Sequence, residues 1–179
     1  MRMLGIDPGS ASPSGAVYQA LQGSRGNIIH AFDVPMTGEK GESDWRVDVM
    51  ALVDIIQTWG ISQATIEKVW AMPSRPDDVT GERRGMGVAG AFKFGVAFGD
   101  LRTTVRCCGF EPRFVVPTKW KKWYGLKGAD KEDSRQLALE LFPQAAQWLE
   151  RKKDEGRAEA MLIARYGVHE HEQDAEIEP

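Results

Sequence analysis

The stretch Met3–Gly9, with the sequence MLGIDPG, consists of a short apolar segment that ends on a carboxylate. A proline and a glycine follow Asp7 and turn the chain, so the sequence predicts a strand with Leu4 and Ile6 in the core and Asp7 at its exposed end. A carboxylate beside core residues is costly to desolvate unless a cation or hydrogen-bond donors compensate its charge. Asp7 is therefore a candidate metal ligand. The alternative is an Asx-turn, in which the carboxylate bonds the backbone two residues further on, and Asp7 considered alone favours that alternative.

Composition predicts one ordinary globular domain. The chain has 179 residues, of which 42% are hydrophobic and 27% are charged, enough to bury one core. No apolar run is long enough to span a membrane, and the first residues do not resemble a signal peptide, so we expect a cytoplasmic protein. Cys107 and Cys108 are adjacent, which disfavours a disulfide between them and does not fit the spacing of a zinc site.

Charge is distributed unevenly along the chain, although the net charge is only −3. Residues 168–179 carry five acids and no Lys or Arg, which predicts a disordered acidic tail after a folded domain of residues 1–167. Basic residues cluster between Arg113 and Arg135, interleaved with Trp120, Trp123 and Tyr124. This mixture suits phosphate contacts and base stacking, but it also fits a solvated face whose aromatic residues belong to the core.

The hydrophobic pattern predicts an α/β fold. Three apolar segments joined by short connections, at 3–7, 15–20 and 27–34, indicate an antiparallel meander. The pattern then predicts helix 44–59, strand 64–69, helix 88–108, strand 112–117, helix 131–141 and an Ala-rich last helix ending at Gly167. Small residues in helix 88–108, such as Gly95 and Gly99, permit close approach of another backbone, which could be the sheet, a second subunit or DNA, and packing on the sheet is expected. Residues 70–87, which include Arg83 and Arg84, are predicted to form a long basic loop of the length typical of functional loops.

Two further acids lie, like Asp7, among apolar or small residues of the sequence. Glu67 lies in the strand 64–69, which we expect inside the sheet, where carboxylates are rare unless paired or metal-bound. A pair with Lys68, or an edge strand facing water, is the alternative. Glu159 begins the last helix among small residues that allow close approach to the sheet and to the other acids. Asp154 and Glu155 precede this helix, and a charge at that position could simply complement the helix dipole.

Four blocks of sequence carry a resemblance to a known family. They are Gly5–Gly9 (GIDPG) followed by Gly15-Ala16, then Ile66–Val69 (IEKV), then Val116-Pro117 followed by Trp120–Lys122 (WKK), and finally Arg157–Ala160 (RAEA). In this order they resemble the RuvC family of Holliday-junction resolvases, especially its phage-type members, over nearly the whole chain except the acidic tail. The first block alone is weak evidence for the family, since actin-like ATPases begin with a similar turn.

The resemblance implies a ribonuclease H-like α/β fold, with a five-stranded mixed sheet flanked by helices, and a homodimer. It implies Mg²⁺-dependent cleavage of branched DNA, most of all the four-way junctions of DNA recombination and repair, with Mn²⁺ as a substitute ion. Asp7, Glu67 and Glu159 match the family's acidic positions, with Asp7 expected to bridge two metal ions. By the same analogy, phosphates would be contacted by basic residues that include Lys119, Lys121, Lys122, Lys131, Arg83 and Arg84.

The acidic pattern departs from bacterial RuvC at its end. The final acid is Glu159 rather than Asp, and the residue three before it is Gly156 rather than Asp or His. The fourth ligand is therefore expected to be Asp154 or Glu155. Glu155 would share a helical face with Glu159 if the helix already included it. A glycine at 156 suggests that the regular helix begins later, so we prefer Asp154.

Other functions remain open at this point. The chain is short for two actin-like lobes and lacks a second glycine-rich phosphate turn. A non-cleaving junction-binding protein would keep the basic surface and lose the acids, whereas all four candidate acids are present. A nuclease that is non-specific, or directed to RNA–DNA hybrids, would share the same acidic residues.

Overall fold

The computed structural model of the protein describes residues 1–9, 12–21, 24–42, 44–69, 75–76, 83–84, 87–126, 128 and 131–177. The strands are β1 (Arg2–Asp7), β2 (Ser14–Leu21), β3 (Ser24–Asp33), β4 (Met36–Thr37), β5 (Arg46–Val47), β6 (Gln63–Glu67), β7 (Arg75–Pro76), β8 (Arg83–Arg84) and β9 (Arg113–Val115). The helices are α1 (Val49–Thr58), α2 (Val88–Cys107), α3 (Pro117–Trp123), α4 (Lys131–Leu141) and α5 (Glu155–Ile177). Short 3₁₀ turns cover Pro143–Trp148 and Lys152–Asp154.

A five-stranded mixed sheet in the order β3-β2-β1-β6-β9 forms the centre of the molecule. β1, β2 and β3 are antiparallel neighbours, while β6 runs parallel to β1 and β9 runs parallel to β6. The sequence prediction of a five-stranded mixed sheet, begun by an antiparallel meander, is therefore confirmed. β4 pairs with β5 and β7 with β8 in two small separate sheets.

Helices cover both faces of the central sheet. On one face Leu4 and Ile6 are buried against residues of α1 and α2. On the other face Met3 and its neighbours pack against α5, and α3 and α4 contribute to the same cluster. Residues 160–164 of α5 are fully buried, as expected of a helix enclosed between a sheet and further helices.

α5 contacts the sheet backbone to backbone. A Cβ at Gly5 would collide with the carbonyl oxygen of Ala160 and lie 2.5 Å from the nitrogen of Ala164. Further along the helix, a Cβ at Gly167 would collide with the hydroxyl of Thr65 on β6. Gly167 is therefore not the helix C-cap that the sequence predicted, because its missing side chain serves a close helix–sheet contact in the middle of α5.

α5 also continues into the segment predicted to be a disordered tail. The helix reaches Ile177, Val168 is buried, and Asp174 lies 2.6 Å from Arg113 of β9. Helical spacing places Val168 on the core and leaves Glu172, Asp174 and Glu176 exposed, where Arg113 pairs with Asp174. The helix differs from the predicted disorder at residues 168–177, and Glu178 and Pro179 lie outside the described residues. The division into a domain of residues 1–167 and a tail stays a prediction.

α2 packs differently from the expectation. Its second half contributes Leu101 and Val105 to the core, but Val88 is 90% exposed and Phe92 is 72% exposed. Among the described residues, no atom lies within 4 Å of the place where a Cβ would stand at Gly95 or Gly99. The prediction that these small residues pack on the sheet is wrong, and the first half of α2 presents an open apolar face.

Other predicted features have simple outcomes. α1 begins at Val49 rather than 44, because Asp48 caps it by accepting a hydrogen bond from the Ala51 N–H at 3.0 Å. Cys107 and Cys108 are both free thiols. In the part of the chain that the structure describes, no helix combines the length and apolar character needed to cross a membrane. Most of the predicted loop 70–87 lies outside the described residues.

Candidate active site

Asp7 and Glu67 end two neighbouring parallel strands. Ile6 of β1 is in register with Ile66 of β6, so the carboxylates that follow them emerge side by side at the same edge of the sheet. Strand alternation places both acids on the face covered by α5, since Leu4, Ile6 and Ile66 point to the other face. The Gly9 N–H also donates to the carboxylate of Asp7 at 3.2 Å. The Asx-turn that was the alternative for Asp7 therefore forms, and Asp7 lies beside Glu67 as well.

Glu159 approaches from above, on the first turns of α5. The close contact at Gly5 holds the helix low on the sheet, and at Gly156 an added Cβ would lie 3.3 Å from Asp7 Oδ2. Glu159 is only 7% exposed, and its Oε1 accepts hydrogen bonds from Lys121 Nζ at 2.8 Å and from the buried Ser134 hydroxyl at 3.4 Å. The expectation that small neighbours bring this helix end near the sheet agrees with the geometry.

The pKa of Glu67 depends on its burial and on the charges of the other two acids. Burial first, and the negative charges of Asp7 and Glu159 second, raise the pKa of Glu67 to about 7 against the hydrogen bond from Trp120 and the charge of Lys121. Glu67 is thus partly protonated at neutral pH, first because burial disfavours its charged form and second because Asp7 and Glu159 are negative. A cation at this edge of the sheet would favour the charged form.

α3 supplies two side chains that contact the acids. Trp120 is fully buried, and its indole N–H donates to Glu67 Oε1 at 2.8 Å. The adjacent Lys121 carries the ammonium group that pairs with Glu159. Trp120 is therefore a core residue rather than a surface for base stacking, whereas Trp123 is 41% exposed and stacks on His169. The sequence did not reveal the Trp120–Glu67 contact, although its position one turn after β9, the neighbour of β6, was a usable signal.

The predicted DNA-contacting residues occupy different positions. Lys119 and Lys122 are exposed on α3, while Lys121 is engaged in the acidic cluster. Arg83 and Arg84 form β8 and Lys131 begins α4, but their side chains lie outside the described part of the structure.

Asp154 and Glu155 lie at the entrance of α5, along a cavity of about 480 Å³ that Asp7 also lines. The buried Asp154 carboxylate accepts hydrogen bonds from the backbone N–H of Arg151 at 2.9 Å and from its guanidinium at 2.7 Å. Burial alone would raise the pKa of Asp154, but these bonds and the charge of Arg157 hold it below its usual value. α5 begins at Glu155, so the expectation of a later helix start is wrong, and Glu155 shares a helical face with Glu159.

These acids suit a divalent cation in their chemistry. Carboxylate oxygens without His or Cys are the donor set that Mg²⁺ and Mn²⁺ accept, and Glu67 is a buried carboxylate beside two other acids. In their present rotamers, the described His, Cys, Asp and Glu side chains form no group of three that could hold a metal ion. Metal binding at this edge therefore requires side-chain rotation.

No protein-family model and no curated protein sequence matches the chain, whereas several solved structures are similar to it. Thermus thermophilus RuvC is 15% identical with a TM-score of 0.65, covering 97% of each chain. RuvC from T. thermophilus in complex with a Holliday junction substrate is 14% identical with a TM-score of 0.62, covering 97% of this chain and 96% of that one. The fowlpox virus Holliday junction resolvase is 9% identical with a TM-score of 0.55, covering 96% and 99%. The likeness confirms the RuvC-like, ribonuclease H-like fold.

Proposed function

We propose that the protein is a metal-dependent endonuclease that cleaves four-way DNA junctions. The observation that carries this proposal is the meeting of Asp7, Glu67 and Glu159 at one edge of the sheet. The similar solved structures are resolvases, one of them described with a Holliday junction substrate, and they support the choice of branched DNA.

Asp7, Glu67 and Glu159 would hold divalent cations, Mg²⁺ or Mn²⁺, through their carboxylate oxygens. Such ions, when bound as a pair, provide an activated water and stabilise the charge that develops on the phosphate. The chain's own contribution is to fix the acids. β1 and β6 hold Asp7 and Glu67 side by side, and α5 brings Glu159 to them.

A fourth carboxylate would come from the entrance of α5, either Asp154 or Glu155. Asp154 is the residue that the sequence favours. Asp154 would have to leave Arg151 before it could bind a metal ion, and Glu155 is the alternative because it shares a helical face with Glu159. Asp154→Asn and Glu155→Gln, compared across a Mg²⁺ and Mn²⁺ titration, separate the two. The true ligand loses cleavage that extra metal restores only in part, and the other variant stays close to wild type.

Phosphate contacts would come from the exposed Lys119 and Lys122, with Lys121, Lys131, Arg83 and Arg84 as further candidates. Basic residues at these positions would set the register of DNA on the surface without reading its sequence.

The open apolar face of α2, with Val88 and Phe92, is a candidate interface for the homodimer that two cuts in a symmetric junction require.

The direct test is cleavage of a synthetic four-way junction with Mg²⁺, with EDTA and Asp7→Asn as controls. Paired nicks across the junction that depend on metal and on Asp7 are expected. Equal cutting of linear duplex would indicate a non-specific nuclease, and preferred cutting of an RNA–DNA hybrid would indicate a ribonuclease H. Tight junction binding without cleavage by the wild-type protein would contradict the enzyme assignment.

A further inference from the structure

We propose that Trp120 is a positioning residue, which orients Glu67 for metal binding through a single indole hydrogen bond. The inference rests on the proposed function, because it takes Glu67 to be a metal ligand. Trp120 itself is buried and would act on metal binding through its hydrogen bond to Glu67.

The geometry of the contact favours such a role. Trp120 Nε1 lies 2.8 Å from Glu67 Oε1, and the indole ring is fully buried in the core. An indole has one N–H donor and no acceptor, so it occupies one lone pair of the carboxylate and leaves the other oxygen to a cation. Glu has three rotatable side-chain bonds, and a donor fixed in the core restricts them. The arrangement is the one by which outer partners orient metal-binding carboxylates.

The choice of acceptor is the second argument. A buried indole N–H needs a hydrogen-bond acceptor, and a backbone carbonyl would satisfy it without burying any charge. Here the acceptor is instead a carboxylate that lies beside Asp7 and Glu159, where a metal ion would bind. A purely structural role explains the need for an acceptor but not the use of this costly one.

The third argument is the position of Trp120 within α3. The next residue, Lys121, contacts Glu159 from the same helix, so one short helix holds two of the three acids. Lys119 and Lys122 on this helix are exposed toward solvent. Trp120 anchors the helix in the core, and thereby fixes these basic side chains relative to Glu67.

Trp120→Phe is the decisive variant, because it keeps a buried aromatic ring and removes the N–H together with the ring volume by which indole exceeds phenyl. Trp148→Phe is the control for that lost ring volume, since Trp148 is partly buried and its ring packs edge-on against His30. Mg²⁺ and Mn²⁺ affinity is measured by calorimetry on each full-length protein, and junction cleavage is measured in parallel. We expect Trp120→Phe to weaken metal affinity and cleavage by about 10–100-fold, while Trp148→Phe leaves both unchanged.

A measurement on the wild-type protein keeps the inference testable even if Trp120→Phe fails to fold. In ¹H–¹⁵N spectra each of the six tryptophans gives one indole N–H signal, and replacing the others one at a time assigns that of Trp120 by elimination. On Mg²⁺ titration the Trp120 signal should shift and saturate together with the calorimetric binding curve.

The outcomes separate the inference from the proposed function. If wild type binds metal and cleaves junctions while Trp120→Phe does so equally well, the inference is overturned and the function stands. An unmoved Trp120 signal during metal binding, or an equal loss in Trp148→Phe, overturns it as well. If wild type neither binds metal nor cleaves, the proposed function itself has failed.

Discussion

Replacing Glu67 with Gln should make the metal-free protein more stable at neutral pH. Gln is nearly isosteric with Glu and its carbonyl oxygen can still accept the hydrogen bond from Trp120. The substitution therefore removes the ionisable group with little change in packing. It isolates the energetic consequence of holding a carboxylate among other acids.

The expected magnitude follows from the pKa of Glu67, which is raised from 4.5 to about 7, by burial first and by Asp7 and Glu159 second. Between these pH values the folded protein retains a proton that the unfolded chain has released. The free energy of unfolding then falls as pH rises, by about 1.4 kcal/mol per pH unit. This stability is fully present below pH 4.5 and is lost by the time the pH has passed about 7, a total of about 3 kcal/mol.

Urea denaturation in EDTA, at intervals from pH 4.5 to 8, measures the effect as a difference between wild type and Glu67→Gln. The two proteins should be equally stable at pH 4.5, and the variant should be more stable by up to about 3 kcal/mol at pH 8. The difference cancels the titration of other groups, such as Asp154, whose pKa is shifted in the opposite direction. Glu140→Gln, at an exposed position on α4, is the matched control.

Parallel stability curves for wild type and Glu67→Gln would refute the reasoning, since they would mean that Glu67 titrates as it does in the unfolded chain. A pH-dependent difference of the same size in Glu140→Gln would refute it too. Saturating Mg²⁺ provides an independent check, because a cation beside the ionised carboxylate should remove the penalty above pH 7 in wild type.

Three further predictions concern cleavage, DNA binding and packing. Asp7→Asn should abolish junction cleavage and retain junction binding in a gel-shift assay, and cutting near the wild-type rate would contradict its role as a metal ligand. Lys119→Ala and Lys122→Ala should each lower the salt dependence of DNA affinity by about one unit of slope, whereas unchanged slopes would show that they do not contact phosphate. Gly5→Ala should cost at least about 1–3 kcal/mol in urea denaturation, because its Cβ meets α5, while Gly99→Ala in open space should stabilise by up to about 1 kcal/mol.

The sequence was most informative where structure depends on near neighbours in the chain. Strand β1 with its terminal Asp7, the meander, and β6 with Glu67 all follow from short apolar segments bounded by turns. The same local rules misread Gly167, because a glycine near the end of an Ala-rich segment is typical of a C-cap. Its actual reason is a contact with Thr65, about a hundred residues earlier, which no local pattern displays.

The candidate site likewise combines residues that the sequence reveals with contacts that only the fold reveals. Asp7, Glu67 and Glu159 could be singled out from the sequence because a carboxylate among apolar or small residues is conspicuous, and their role as metal ligands stays a prediction. The contact of Trp120 with Glu67 spans 53 residues and depends on the pairing of β6 with β9, so it required the fold. The engagement of Asp154 is local, but an Arg three residues earlier is too common on surfaces to indicate a buried ion pair.

The backbone contact between α5 and β1 has a consequence for how the acidic cluster is assembled. Because Gly5 leaves no space between the helix and the strand, α5 cannot slide over the sheet without breaking the core. The spacing of the acid-bearing backbones is thus fixed when the chain folds, and adjustment to a bound ion is left to side-chain rotation. The same contact ties position 5 to the backbone of residues 160 and 164, so that a larger residue at position 5 would require α5, which carries Glu159, to move.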